Sequence, residues 1–355
     1  MGKERGGDTM AAESALRFGL VGLGLVGPAH ARSLAELADA DLTIACDICE
    51  ERVRAFADEY GCDWTTDIND VLSRGDIDVV SVTTPQFTHH DLAIASAKAG
   101  KHVIVEKPID INTGRAQEII DVCHAQGVKL GVIFQSRWKK SFVCLKEAVE
   151  AGQLGRLLLG DAYIKWFRPQ EYYDSSAWRG KWETEGGAAL INQSSHTIDT
   201  LQWIMGPVES LFAYFTTTPV HNIEADDLGV ATLKFKNGAL GVIEGATALR
   251  PGLPERLEVH GEKGTVIIEG GAIKLWDVEG MDEGEMKEEA EEPVGTGASD
   301  PMAFPISWHK AQIQDMIDAI RDDREPKVNG EEGLRALRII EAIYKSGRSG
   351  VEVTL

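Results

Sequence analysis

A short glycine-rich turn does most to limit what this chain can fold into. Gly22-Leu23-Gly24-Leu25-Val26-Gly27 directly follows the apolar run Phe18–Val21 and opens a stretch with helical spacing, and Asp47 stands twenty residues beyond Gly27, after the next apolar run. Strand, turn, helix and acidic residue in that order form the βαβ unit that binds a dinucleotide. Each position has a physical task. Gly22 permits the tight turn, Gly24 removes a side chain so that the backbone of Leu25 and Val26 can approach a pyrophosphate, and Gly27 lets the helix close on the sheet. The helix N-terminus then stabilises the phosphate charge. Asp47 would accept hydrogen bonds from the adenosine ribose hydroxyls and repel an additional phosphate, so NAD is expected over NADP. Arg52, five residues on, is expected on the exposed face of the next helix.

Around this unit, residues 15–135 alternate β-branched apolar runs with amphipathic stretches. The expected strands are Phe18–Val21, Leu42–Cys46, Val79–Thr83, His102–Val105 and Lys129–Phe134, and the expected helices include Glu51–Tyr60, Asp91–Ala99 and Thr113–Gln126. The fold class is therefore α/β, with an N-terminal Rossmann doubly wound parallel sheet. Over residues 136–355 the pattern becomes α+β. A helix at Lys140–Ala151 and a strand at Leu157–Phe167 precede a helix around His196, and then strands follow one another with turn signals at Asn237-Gly238 and Gly270-Gly271. Both turns suggest type I′ hairpins in an open-faced antiparallel sheet, one face under helices and the other free for a second subunit in a homodimer or homotetramer. Helices near Trp308–Arg321 and Glu331–Ser346 and a strand at Val351–Leu355 close the chain.

Composition narrows the function classes. With 36 Lys+Arg against 57 Asp+Glu the net charge is −21, which repels nucleic acid and anionic lipid, so an anionic ligand needs a local basic pocket. The 43% hydrophobic content rules out a mostly disordered chain. No run approaches the roughly 18 apolar residues of a membrane span, the N-terminus lacks a secretory core, and a cytoplasmic protein is expected, with residues 1–14 a flexible leader. Five cysteines inside apolar runs suit reduced, buried thiols, and no metal site is expected. Between Asp277 and Glu292 nine of sixteen residues are acidic, and Pro293–Pro305 is rich in Gly, Ser and Pro, so 277–305 reads as a solvated, mobile loop.

Three more segments fall where strands of such a sheet end: Thr84-Pro85-Gln86-Phe87-Thr88-His89, Glu106-Lys107-Pro108 and Gln135-Ser136-Arg137-Trp138. A fourth, from Glu185-Gly186-Gly187 through Asn192-Gln193-Ser194-Ser195-His196 to Asp199, lies in the second half. Together these segments, in this order over residues 16 to 355, resemble the Gfo/Idh/MocA family of oxidoreductases. The resemblance implies that Lys107 and His196 flank the nicotinamide as the catalytic pair. It also implies that Thr84, Pro85, His89, Glu106, Lys107 and Gln135 join Gly22, Gly24, Leu25, Val26, Gly27 and Asp47 in holding the cofactor. The chemistry asks for the same residue types. Oxidising a secondary alcohol passes a hydride to nicotinamide while the hydroxyl proton goes to a base poised near neutrality, the role of His196. The Lys107 ammonium would stabilise the alkoxide. Two positions depart from the family pattern: Asn192 stands where aspartate is common and is expected to hydrogen-bond a substrate hydroxyl, and Gln86 replaces a common asparagine. Asp199, one helical turn past His196, is expected to orient the imidazole or a hydroxyl.

From Lys165 to Trp182 the chain carries two arginines, two lysines and five Trp or Tyr residues. Aromatic faces stack on sugars and Arg forks bind carboxylate or phosphate, so Arg168, Tyr173, Trp178 and Arg179, with Asn192 and Asp199, are the expected substrate contacts; packing in a core or subunit interface is the other reading of the aromatics. The Tyr-Tyr, Trp-Arg-Gly and Asn-Gln-Ser-x-His run resembles the branch of the family that oxidises nucleotide-linked sugar acids at C3. The expected function is NAD-dependent oxidation of a sugar or sugar derivative. The alternatives are glycoside cleavage through transient oxidation and a non-enzymatic NAD-binding regulator.

Overall fold

The computed structural model describes residues 14–290 and 305–355. The expected leader up to residue 13 and all but the last residue of Pro293–Pro305 lie outside the described residues. Six parallel strands form the first sheet: β1 (Leu16–Val21), β2 (Ala40–Cys46), β3 (Asp63–Thr65), β4 (Val79–Val82), β5 (His102–Val105) and β6 (Leu130–Val132). Their order is β3-β2-β1-β4-β5-β6. The strand order reverses between β1 and β4, where a ligand crevice opens at the carboxyl ends of the strands. The centre of this sheet is apolar and fully buried, as a parallel sheet covered on both sides requires.

The second sheet has eight strands: β7 (Leu157–Lys165), β8 (Val208–Thr216), β9 (Leu228–Phe235), β10 (Leu240–Ala246), β11 (Arg256–Gly261), β12 (Gly264–Glu269), β13 (Ala272–Val278) and β14 (Val353–Thr354). Its order is β13-β12-β11-β7-β10-β9-β8-β14. It is mixed rather than wholly antiparallel, because β7 pairs in parallel with β10 while the other pairs run antiparallel. Along β9 the side chains alternate strictly between buried (Ala231, Leu233, Phe235) and exposed (Val230, Thr232, Lys234), so one face is covered by helices and the other is open.

Gly270 and Gly271 both take positive φ, 59° and 86°, as a type I′ turn between β12 and β13 demands. At Asn237-Gly238 the type I′ expectation is overturned. Only Gly238 has positive φ, and Phe235 O accepts from Gly238 N while Phe235 N donates to Ala239 O, the pattern of a longer loop with a bulge. The run from Asp277 is not a loop throughout: it ends β13 and then forms the helix Glu283–Glu289. The Asp282 carboxylate caps Glu285 N, Lys287 pairs with Glu283 one turn back, and Met286 packs on the main core.

The last helices return to the first sheet. Ile313, Met316 and Ile317 of the helix Ser307–Arg321 pack on Phe18, Val79, Ile104 and Ile133, and the Gln312 amide bonds Val132 O and Phe134 N. The helix Gly330–Ser349, capped by Asn329, runs so close to β6 that a Cβ at Gly333 would lie 2.6 Å from Val132. These contacts hold the two C-terminal helices against the first sheet. Among the described residues no helix is long and apolar enough to cross a membrane.

Candidate active site

The glycine turn is built as the spacing requires. Gly22 has φ +92°, and a Cβ there would meet Thr84 Cγ2 at 2.6 Å and Thr84 N at 2.8 Å, so only glycine lets β1 and the Thr84-Pro85 turn approach. A Cβ on Gly27 would be 2.7 Å from Gly22 O, whereas one on Gly24 would meet nothing within 4 Å: the space over Gly24 is open, and Leu25 beside it is half exposed. The helix Gly27–Ala35 starts here with Pro28 in its first turn.

Asp47 is buried, and its carboxylate accepts from Leu23 N at 2.8 Å and Cys49 N at 2.9 Å. Arg52, instead of pointing away from the site, reaches back to both Asp47 oxygens at 3.1 Å with half its side chain in solvent. The two backbone bonds hold the carboxylate at the edge of the crevice, and the exposed arginine contact is one that ribose hydroxyls can displace. Ile48, 94% exposed, presents a bare apolar surface beside it. Gln135 is buried with Oε1 unpaired among the described residues, an acceptor left for a ligand amide. The open space over Gly24, the anchored Asp47 and the orphaned Gln135 oxygen all fit a dinucleotide.

Two expected cofactor contacts are structural. His89 is buried, with Nδ1 on Pro108 O and Nε2 on Thr84 O, so it braces the Thr84-Pro85 and Lys107-Pro108 turns from behind. Glu106 bonds His30 Nε2 at 2.9 Å and Lys107 N at 3.1 Å, with His309 Nε2 at 3.7 Å. Burial raises its pKa, but the two histidines outweigh that and hold the carboxyl well below its usual range. Thr84 itself bonds Thr88, closing the turn that carries Pro85. Gln86, in place of a shorter amide, donates across to Glu185 O in the second domain at 2.9 Å.

Lys107 and His196, the expected catalytic pair, come from different halves of the chain and act on each other electrostatically. Lys107 Nζ donates to Asn192 O at 2.7 Å and to Asn192 Oδ1 at 3.3 Å, which leaves one of its three N–H groups for a substrate oxygen. Burial pushes the Lys107 amine down to about 8, with Glu106 and Glu185 opposing the fall and Arg179 and Arg168 adding to it. His196 sits in the first turn of the helix Ser195–Met205, its ring against the edge of Phe134 at 5.6 Å. Its Nδ1 is buried without a hydrogen bond among the described residues, so Nε2 is the nitrogen left to face the crevice. Burial, then Lys107, holds this imidazole well below its ordinary value, and it is a neutral base at physiological pH.

The turn Ala189–Gln193 that aims Asn192 is fastened by a residue with no sequence signal. Asp226, from the loop before β9, is fully buried and accepts from Ala188 N, Leu190 N and the Tyr344 hydroxyl. Glu185 is a second residue missed. It is buried, takes a short hydrogen bond from Asn192 Nδ2, and accepts from Gly180 N.

The aromatic and basic cluster divides. Arg168 and Arg179 flank one ring, Tyr172, with guanidinium carbons 5.6 and 4.1 Å from its centroid, and Arg179 also lies over Trp178 at 4.5 Å. The Tyr172 hydroxyl bonds Arg179 and Gln193, and Arg168 bonds Gln193 Oε1. Tyr172 and Gln193 thus join the site unforeseen. Tyr173, expected at the substrate, is instead buried with its hydroxyl on Thr247, because adjacent residues of the short helix Gln170–Asp174 point to different sides. Trp182 packs on Tyr344 and Phe215 in the core. Asp199 is likewise withdrawn: fully buried, it forms a bidentate ion pair with Arg137 at 2.7 and 2.8 Å, and Arg137 also binds Glu332. Its charge is spent on holding the helix and cannot serve the imidazole.

Comparison with known proteins agrees with this geometry. Residues 16–134 match the family described as "Oxidoreductase family, NAD-binding Rossmann fold", and residues 146–355 match "Oxidoreductase family, C-terminal alpha/beta domain". The WlbA dehydrogenase from Bordetella pertussis, solved in complex with NADH and UDP-GlcNAcA, is 34% identical, superimposes with a TM-score of 0.89, and is matched over 97% of this chain and 99% of its own. The myo-inositol 2-dehydrogenase of Thermotoga maritima is 29% identical over 93% of this chain and 96% of its length, and the inositol 2-dehydrogenase of Rhizobium meliloti 27% identical over the same shares. With a dinucleotide turn, a Lys–His pair at its open end and both halves matched, this chain is an NAD-binding dehydrogenase and belongs to the Gfo/Idh/MocA oxidoreductase family.

Proposed function

We propose that this chain oxidises a secondary alcohol of a sugar carrying negative charge, specifically a nucleotide-linked sugar acid at C3, with NAD. The observation that carries the reading is the pair of guanidiniums, Arg168 and Arg179, both within 5.6 Å of the Tyr172 ring centroid and close enough to Lys107 to lower its basicity, in a chain of net charge −21. Positive charge concentrated in one crevice of an acidic protein selects an anion. A neutral cyclitol, the substrate type named for the inositol dehydrogenase relatives, offers no anion for this positive charge to attract. The ligand of the WlbA structure, a nucleotide-linked sugar acid, has the charge that such a pair would bind.

The chain's own residues divide the work. Gly22, Gly24, Gly27, Asp47 and Gln135 would hold NAD, which supplies the hydride acceptor. His196 Nε2 takes the hydroxyl proton. The third Lys107 N–H meets the oxygen as it gains charge. Arg168, Arg179, Tyr172 and Trp178 orient the sugar so that the chosen C–H faces the cofactor. The open face of the second sheet, with Tyr214, Val230 and Leu240 exposed, suits a second copy of the chain. The test is NADH formation across a matched set: a nucleotide-linked uronate, its neutral parent nucleotide sugar, the free uronate and myo-inositol. Turnover is expected on the nucleotide-linked uronate with kcat/KM well above the rest, and a preference for myo-inositol would overturn the reading.

A further inference from the structure

We propose that Glu185 is a positioning residue for the reaction: its carboxylate fixes the Asn192 side-chain amide with the oxygen turned toward Lys107, and it adds, beside Glu106, negative charge that favours Lys107 as an ammonium. The inference rests on the reading of Lys107 as the cation beside the reacting oxygen.

The connectivity is continuous. Lys107 Nζ donates to Asn192 Oδ1 at 3.3 Å, Asn192 Nδ2 donates to Glu185 Oε1, and the other Glu185 oxygen accepts from Gly180 N. A primary amide has one accepting and one donating end, so a carboxylate at one end decides which end the lysine meets. With Glu185 ionised, Nδ2 must face it and Oδ1 must face Lys107. An uncharged, donating group at 185 would permit the flipped amide, whose NH₂ cannot share the space with an ammonium.

Among the described residues, Glu185 is the carboxylate bonded to the Asn192 amide. The charged groups that act on Lys107 are Glu106 on its own segment, which does most to favour the ammonium, and Glu185, Arg179 and Arg168 from the second domain, with the neutral His196 also facing it. Glu106 is committed to His30, and His309 also lies beside it. Asn192 itself carries no charge. Glu185 is faced by Arg179, by the buried Asp226, and by the phenols of Tyr172, Tyr173 and Tyr344. Burial pushes the Glu185 carboxyl up to about 7, with the Asn192 and Gly180 hydrogen bonds opposing it, so the relay is set near neutral pH. Gly180 follows Arg179 directly, and the same carboxylate therefore also anchors the segment that presents the anion-binding guanidinium.

The test reads Lys107 without turnover. In the cofactor-free protein, the rate at which an amine-reactive acylating reagent labels Lys107, followed by peptide mass spectrometry against pH, reports the midpoint of its deprotonation. Glu185→Gln is expected to move that midpoint down by about one pH unit, the effect of losing a nearby opposite charge. The alkaline limb of kcat should move by the same amount. Glu185→Gln combined with Asn192→Asp puts the carboxylate directly against Lys107 and is expected to return the midpoint to its original position or above. An unmoved midpoint in Glu185→Gln, or no recovery in the double variant, overturns the proposal. If Glu185→Gln does not yield folded protein, Glu185→Asp keeps the charge but no longer reaches Asn192. The midpoint should then fall part of the way, and one equal to that of the unaltered chain overturns the proposal. A shifted midpoint together with no turnover on any uronate would sink the substrate reading and leave this one standing.

Discussion

Replacing Asp199 by Asn separates a structural carboxylate from a catalytic one. Asp199 and Arg137 are 0% and 5% exposed by side chain, joined by two hydrogen bonds of 2.7 and 2.8 Å, and Arg137 keeps a second partner in Glu332 at 2.8 Å. Removing one charge from a buried pair costs about 3–5 kcal/mol, because the partner stays buried and uncompensated. Glu332 remains to neutralise Arg137, so the lower end, about 3 kcal/mol, applies; that is roughly a hundredfold in the unfolding equilibrium. Arg137 ties the segment after β6 to the helix that carries His196, so the loss should appear as a lower denaturant midpoint, with an unchanged slope, in urea unfolding followed by tryptophan fluorescence. The variant that remains folded should keep most of its kcat and an unchanged pH profile, since Asp199 touches neither His196 nor the crevice. Full stability with a collapsed kcat would refute the assignment and return Asp199 to the chemistry.

Further outcomes follow from the same contacts. Asp47→Ala removes the anion that repels a 2′-phosphate and frees Arg52, so the ratio of NAD to NADP affinity should fall, read by titrating cofactor-stripped protein with each; an unchanged ratio would contradict the role given to Asp47. Arg179→Met should raise KM for an anionic sugar by about tenfold, the worth of one charge-assisted hydrogen bond, with a smaller effect on its neutral parent. Equal effects on both would argue against an anion clamp. His196→Ala should lower kcat by about 10²–10⁴ while cofactor affinity, measured by NADH fluorescence, is kept.

Much of the first domain was legible because its strands announce themselves. His102–Val105 and Thr113–Gln126 match their elements end to end, the first a β-branched run and the second an amphipathic stretch bounded by the Asn112 cap and Gly127. Asp63–Thr65 was invisible, being three residues long with Asp63 and Trp64 exposed; its strand character comes from pairing with β2. The parallel pairing of β7 with β10 was equally hidden, because which strands become neighbours is decided by the helices between them. At the site, Lys107, His196 and Asp47 stood out through motif and spacing. Asp199 and Tyr173 misled for one reason: proximity in sequence to a site residue does not fix which way a side chain turns, and Arg137 and Thr247, distant in sequence, claimed them. Glu185 opened a motif without any spacing to mark it, and only the Gly180 and Asn192 contacts reveal its place.

The most direct measurement of the central claim uses a nucleotide-linked sugar acid bearing deuterium at C3 and, separately, at each other carbinol carbon, with mass analysis of the reduced cofactor. The account predicts deuterium in NADH from the C3-labelled compound alone, a slower rate for that compound, and loss of the transfer in His196→Ala. Deuterium arriving from another carbon would displace the C3 assignment, and reduced cofactor carrying no label from any position would contradict hydride transfer from the sugar altogether.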